Sequence, residues 1–330
     1  MAKLKLTLAC WDYDRTRALA DGSVQPDGIE LNCLNLPVEE TFFRMLRHGE
    51  FDVAEMSLSS YSVSLSREPR RFVALPVFPS RFFRHSSIYV NAAAGIRHPS
   101  DLKGHRVAAP EYQMTAPVWI RGILSDEFGL KVTEVEHMTG GEEEPGREEK
   151  LRLDLPPSIR VTPIGPTQTL SRMLAEGEIS ALFTARAPST LHSEPTRVKR
   201  LFADFVAVER EYFARTRIFP IMHVVAMRRD VYEANRWIAQ SLVKAFAEAK
   251  RRAQEALTET AALKTMLPWS IAHVQETRAA MGEDWWSYGL EPNRHVLSTF
   301  LRYHHEQGLS KRLLTPDEIF APEALESFRI

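Results

Sequence analysis

Residues 44–57 read RMLRHGEFDVAEMS, and 128 positions later residues 172–184 read RMLAEGEISALFT. Both carry Arg-Met-Leu-x-x-Gly-Glu followed by a short apolar run. A glycine just past the last helical turn takes the left-handed conformation that ends a helix, so each copy encodes helix, stop, strand. Two such copies predict two α/β lobes of similar design. Length agrees, because 330 residues exceed what one hydrophobic core usually serves.

The flanking sequence extends the pattern. Leu4, Leu6 and Leu8 alternate with polar residues and predict a first strand ending at Trp11-Asp12, with a helix from Thr16 onward. Pro26-Asp27-Gly28 turns the chain into a second strand, Ile29 to Leu36. Further on come one helical turn at 99–104, a strand from Arg106 to Ala109, and a helix from Thr115 to Phe128 closed by Gly129. Ile218 to Met227 reads as a strand. Trp237, Leu242, Phe246, Ala249 and Ala253 recur at helical spacing within one long helix, Tyr232 to Leu257. The run EEEPGREE (142–149) reads as a solvated loop.

Alternating strands and helices imply mostly parallel sheets, whose ligands bind beyond the carboxyl ends of the strands. That rule selects four polar segments: Trp11 to Thr16, Ser57 to Tyr61, Glu111 to Thr115 and Thr184 to Ser189.

Composition narrows the function classes. A formal net charge of −1 gives no basic footprint for nucleic acid. The two cysteines, Cys10 and Cys33, have neither metal nor redox spacing. No run approaches the roughly 20 apolar residues that span a membrane. Asp12 also precedes any apolar run of signal-peptide length, so a cytoplasmic protein is expected.

Several segments are more specific. PSDLKGHRVAAPEYQ (99–113) and the later Gly-Glu-Ile-Ser-Ala strand resemble the two-lobed periplasmic-binding-protein fold of the second type. PVFPSRFFRHSSIYVN (76–91), PEYQMTAPVWIRGIL (110–124), FPIMHVV (219–225), SLVKAFAEAK (241–250), MGEDWWSYGLEPNR (281–294) and LRYHHEQGL (301–309) resemble the 4,5-dihydroxyphthalate decarboxylase family. The resemblance implies one lobe of residues 1–88 plus 223–330 with C-terminal helices, a second of residues 89–222, and a ligand cleft between them. It also implies loss of one carboxylate from a dihydroxylated benzene dicarboxylate, giving protocatechuate and CO2.

Direct loss of CO2 would leave an unstabilised aryl carbanion. Protonating the ring carbon that bears the carboxylate, with the para hydroxyl pushing electrons in, is easier. This chemistry needs an acid, a base at the phenol and cations for the carboxylates, but no organic electron sink. Arg81, Arg84 and Arg186 are the expected carboxylate partners, since a guanidinium matches a carboxylate bidentately. His85 and His223 are the expected proton carriers, with Glu111 as partner or phenol base. Trp11 and Tyr61 are candidates to stack on the ring, and Ser59, Ser60 and Thr115 to supply hydroxyls.

The metal ligands are unknown. No HxxxH, HxH or CxxC spacing occurs, so a divalent ion is not favoured, although ligands gathered from distant segments would leave no such trace. The expected partner is a small anionic aromatic, with no nucleic acid and no membrane, and homo-oligomers stay open. The rival reading is a solute-binding protein of the transporter type that holds an anionic aromatic without turnover.

Overall fold

Alternation in LKLTLAC turns Leu6, Leu8 and Cys10 into the core, and this segment forms β1 (Leu4–Cys10) of the computed structural model, which describes residues 2–325. The other strands, in chain order, are β2 (Ile29–Asn35), β3 (Val53–Ser57), β4 (Phe72–Leu75), β5 (Ile88–Asn91), β6 (Arg106–Ala109), β7 (Glu136–Thr139), β8 (Val161–Pro163), β9 (Ala181–Phe183), β10 (Val198–Arg200) and β11 (His223–Arg228).

The chain forms two units. The first comprises residues up to Arg81, His223–His295 and residues from Thr315 on; the second comprises Phe82–Met222 and Val296–Leu314. The stretch Val296–Leu314 therefore belongs with the second unit, whereas the sequence reading assigned the whole C-terminal region to the first. Side-chain packing explains the difference. Phe300 and Tyr303, on the helix Arg294–Glu306, set their rings 5.4 and 5.7 Å from that of the fully buried Trp119. Gly122 makes room, because a Cβ there would stand 2.0 Å from the Tyr303 ring.

In the first unit the strand order is β2-β1-β3-β11-β4, with β1 parallel to β2 and β3, and β11 antiparallel to β3 and β4. In the second it is β10-β5-β9-β6-β7-β8, parallel from β9 to β8 and antiparallel at β5 and β10. Both sheets are thus mixed rather than mostly parallel. A parallel neighbour needs a crossover connection. β5 and β11 instead each enter shortly after the chain has passed from one unit to the other.

Leu8, Val53, Val225 and Met227 form the first unit's apolar core with Leu242, Phe246 and Ala249 of the helix Ile238–Ala256. That helix is separate from Arg229–Ala234, since the chain turns out of helical geometry at Asn235. Trp237 consequently lies at the helix start, half-exposed, rather than on the buried face.

The acidic run 142–149 is a loop, exposed at Glu143–Gly146 and Glu148 as expected, but several of its charges are tied to the second unit. Glu111, fully buried beyond β6, receives Arg147 at 2.7 Å and the Lys150 ammonium, while Glu149 accepts from the Tyr112 backbone and the Gln113 side chain. Glu142 and Glu143 accept hydrogen bonds from Thr184 and Ser189. Glu142, Arg147 and Glu149, which meet such partners, are the members of the run drawn partly out of solvent. Among the described residues no helix is long and apolar enough to cross a membrane.

Candidate active site

β3 pairs antiparallel with β11, and the register sets Ser57 against His223. The carboxyl end of β3 and the first residue of β11 therefore meet at one end of the strands of the first unit's sheet, where β1 also ends. On β3, Val53, Glu55 and Ser57 share a face. Val53 belongs to the core and Glu55, with no exposed surface, marks the boundary between core and site.

Four donors converge on Glu55. Tyr13 Oη and His223 Nδ1 each lie 2.6 Å from Oε1, and the Trp11 N–H and Cys10 Sγ lie 3.1 and 3.5 Å from Oε2. Burial alone would push this carboxyl up, but His223, Tyr13 and the Trp11 amide together hold it below the ordinary glutamate value. Burial and the Glu55 charge push the Tyr13 phenol far up, so it remains a donor. Phe42 contacts the His223 ring edge-on, with centroids 4.9 Å apart. His223 Nδ1–H thus points to a carboxylate in a fixed ring orientation. The other ring nitrogen, Nε2, has no hydrogen-bond partner among the described residues, and the side chain is 17% exposed. Glu55 and His223 are thus a candidate proton-transfer pair.

The other expected site residues fall into distinct surroundings. Trp11 is 44% exposed at the end of β1, beside the pair through its own amide. Ser59 and Ser60 begin the helix Leu58–Ser64 and are wholly buried, with the Ser60 N–H donating to Ser57 Oγ. Tyr61 is no stacking platform. Its ring is buried, and its hydroxyl donates to the Ile319 carbonyl and accepts from the Ala74 N–H. Arg81 donates to the Ser287 carbonyl at 2.7 Å and to Asn293 Oδ1, bracing the segment that follows Trp286; burial lowers its pKa to about 9.

In the second unit, Arg84 faces Met222 Sδ at 3.1 Å and the Ala185 carbonyl at 3.4 Å, and burial lowers its pKa to about 10. His85 has different surroundings from His223. It is buried against Phe202 and Tyr212, its Nδ1 has no hydrogen-bond partner among the described residues, and burial depresses its pKa to about 4. Glu111 is held by Arg147 and Lys150 and is not disposed as a free base. Thr115 is buried at the start of its helix, and Arg186 is exposed just beyond β9.

Sequence reasoning missed Glu55 and Tyr13. Tyr13 lies in the selected segment 11–16, and the signal for Glu55 is a lone acid inside the otherwise apolar strand VAEMS. Among the described residues no group of three His, Cys, Asp or Glu side chains is gathered to hold a metal.

No protein-family model matches the chain. It is 44% identical over 330 residues to a 4,5-dihydroxyphthalate decarboxylase from Comamonas testosteroni, covering the whole of both chains. It is 46% identical over 204 residues to a 4,5-dihydroxyphthalate decarboxylase from Pseudomonas putida, covering 62% of this chain and 79% of that one. Among solved structures, a periplasmic sulfonate-binding protein from Methylobacillus flagellatus superposes with a TM-score of 0.55 at 15% identity, over 98% of this chain and 93% of its own. That likeness establishes a periplasmic-binding-protein-like fold.

Proposed function

The chain belongs to the 4,5-dihydroxyphthalate decarboxylase family and is a carboxy-lyase, and we propose that His223, oriented by Glu55, delivers the proton that drives its reaction. The substrate in this reading is 4,5-dihydroxyphthalate and the products are protocatechuate and CO2. With Nδ1–H donated to Glu55, a protonated His223 presents Nε2–H to the ring carbon that bears the departing carboxylate. The para hydroxyl loses its proton and its electrons move into the ring as the new C–H bond forms. The C–CO2 bond then breaks, its electron pair restores aromaticity, and the phenolate regains a proton. One proton is consumed from solvent for each CO2 released.

The observation that carries this reading is the 2.6 Å contact between His223 Nδ1 and a carboxylate that has no exposed surface. A buried acid in that position fixes the tautomer and the orientation of the imidazole. Trp11, exposed beside the pair, supplies a face for an aromatic ring. No organic cofactor is needed, because ring protonation replaces the electron sink, and we propose that no divalent ion is required.

The test is turnover of 4,5-dihydroxyphthalate by the purified protein, with and without EDTA, read as protocatechuate and CO2. Product formation that survives EDTA is expected. Loss on EDTA with recovery on adding a divalent ion would overturn the metal-free mechanism, and binding without product would favour the solute-binding alternative.

A further inference from the structure

Arg15 lies in the helix Asp14–Ala20, which follows directly from the end of β1. Its guanidinium carbon stands 4.0 Å from the centre of the Tyr13 ring and 4.3 Å from that of Trp286, so two aromatic rings hold it. Nε donates to the Pro79 carbonyl at 2.5 Å and Nη1 to Asp14 at 3.0 Å. Nη2 has no hydrogen-bond partner among the described residues, and the side chain is 17% exposed. An arginine that serves packing alone ends on protein acceptors, as Arg44 does with Glu40 and Glu50. Arg15 keeps one terminal nitrogen for something else.

The surroundings are built to steady it. The Trp286 indole N–H donates to the Phe78 carbonyl at 2.9 Å, and the Trp286 carbonyl takes the Lys250 ammonium at 3.1 Å. Arg81 braces Ser287 and Asn293 just beyond. The Asp14 side chain is 54% exposed and leaves the cation only partly neutralised. Tyr13 joins Arg15 to the proton-transfer pair, since its hydroxyl bonds Glu55 while its ring lies against the guanidinium.

We infer that Arg15 binds the carboxylate that the substrate retains, while His223 serves the ring carbon that loses the other. The inference rests on the decarboxylase reading above. A carboxylate leaving as CO2 sheds its negative charge, so a guanidinium paired with it would stabilise the ground state and slow the reaction. The retained carboxylate is charged throughout. Arg15 therefore contributes equally to substrate and transition state, and its removal raises KM while leaving kcat nearly unchanged.

The experiment compares wild type, Arg15→Gln and Arg15→Lys as full-length proteins. It measures kcat and KM for 4,5-dihydroxyphthalate and calorimetric Kd for phthalate, with thermal unfolding as the check on folding. Arg15→Gln is expected to raise KM and the phthalate Kd by roughly 10- to 100-fold, the size of one lost charge-assisted hydrogen-bonding pair, with kcat within about threefold. Arg15→Lys should recover part of that loss. A folded Arg15→Gln protein with KM and Kd within twofold of wild type overturns the assignment. So does a fall in kcat at unchanged KM. If Arg15→Gln does not fold, Arg15→Lys decides on the same KM-against-kcat split. Wild type that binds phthalate through Arg15 but releases no CO2 would sink the decarboxylase reading and leave the carboxylate anchor standing.

Discussion

A carboxylate without exposed surface stays ionised only when donors surround it, and Glu55 has a histidine, a phenol and an amide within 3.1 Å. Removing His223 should abolish proton delivery while leaving the strand intact. His223→Ala is expected to lower kcat by roughly 10²- to 10⁴-fold. Glu55→Gln keeps the shape but loses the carboxylate that receives His223 Nδ1–H, so it should lower kcat by less. An unchanged kcat in His223→Ala would remove it from the mechanism. His85 carries the opposite expectation. Its pKa of about 4, against an ordinary 6.5, means that the folded state binds its proton less readily than the unfolded chain does. Stability is therefore unaffected above pH 6.5 and falls as pH drops from 6.5 towards 4, by about 3 kcal/mol at most. Replacement by Gln should flatten the melting temperature across that window and leave kcat at pH 8 within a few-fold of wild type. A loss of turnover comparable to that of His223→Ala would restore His85 as a proton carrier.

Elements show where pattern suffices and where it misleads. The strand Arg106–Ala109 and the helix Thr115–Phe128 with its Gly129 stop form as the sequence reading expects, because apolar spacing and a left-handed cap are local properties. The acidic stretch 142–149 is the largely exposed loop expected, but its ties were not legible because its partners, Glu111, Gln113, Thr184 and Ser189, lie 36 to 46 residues away. Glu111→Gln tests its role. It would leave Lys150, whose pKa burial lowers, without its carboxylate and is expected to cost about 3–5 kcal/mol in a denaturant midpoint. Pairing it with Lys150→Met should recover much of that loss. A single variant as stable as wild type would make the acidic stretch a surface feature after all.

At the scale of the whole molecule, the stretch Val296–Leu314 closes the second unit, placing Phe300 and Tyr303 on Trp119 and Gln307 Oε1 on Arg121 Nε. A Phe300→Ala/Tyr303→Ala variant should thus leave the 82–222 region open to limited proteolysis, with the first cuts near Trp119. Resistance equal to wild type would show that this packing is dispensable. The sequence by itself determined the α/β class, the two-unit design announced by the repeated Arg-Met-Leu-x-x-Gly-Glu, the cap positions and the family. Each of these depends on spacing within one short stretch or on motifs read in order. It also singled out His223 and the polar segment after β1. Only the tertiary structure decided that Glu55 is the partner of His223, that His85 and Tyr61 are packed inward, and that Arg81 ends on Ser287 and Asn293 whereas Arg15 Nη2 meets no hydrogen-bond partner among the described residues. Those distinctions are set by strand register and by acceptors as many as 258 positions away, as Ile319 is from Tyr61. Side-chain identity lists the available donors and charges, but long-range register determines which of them meet.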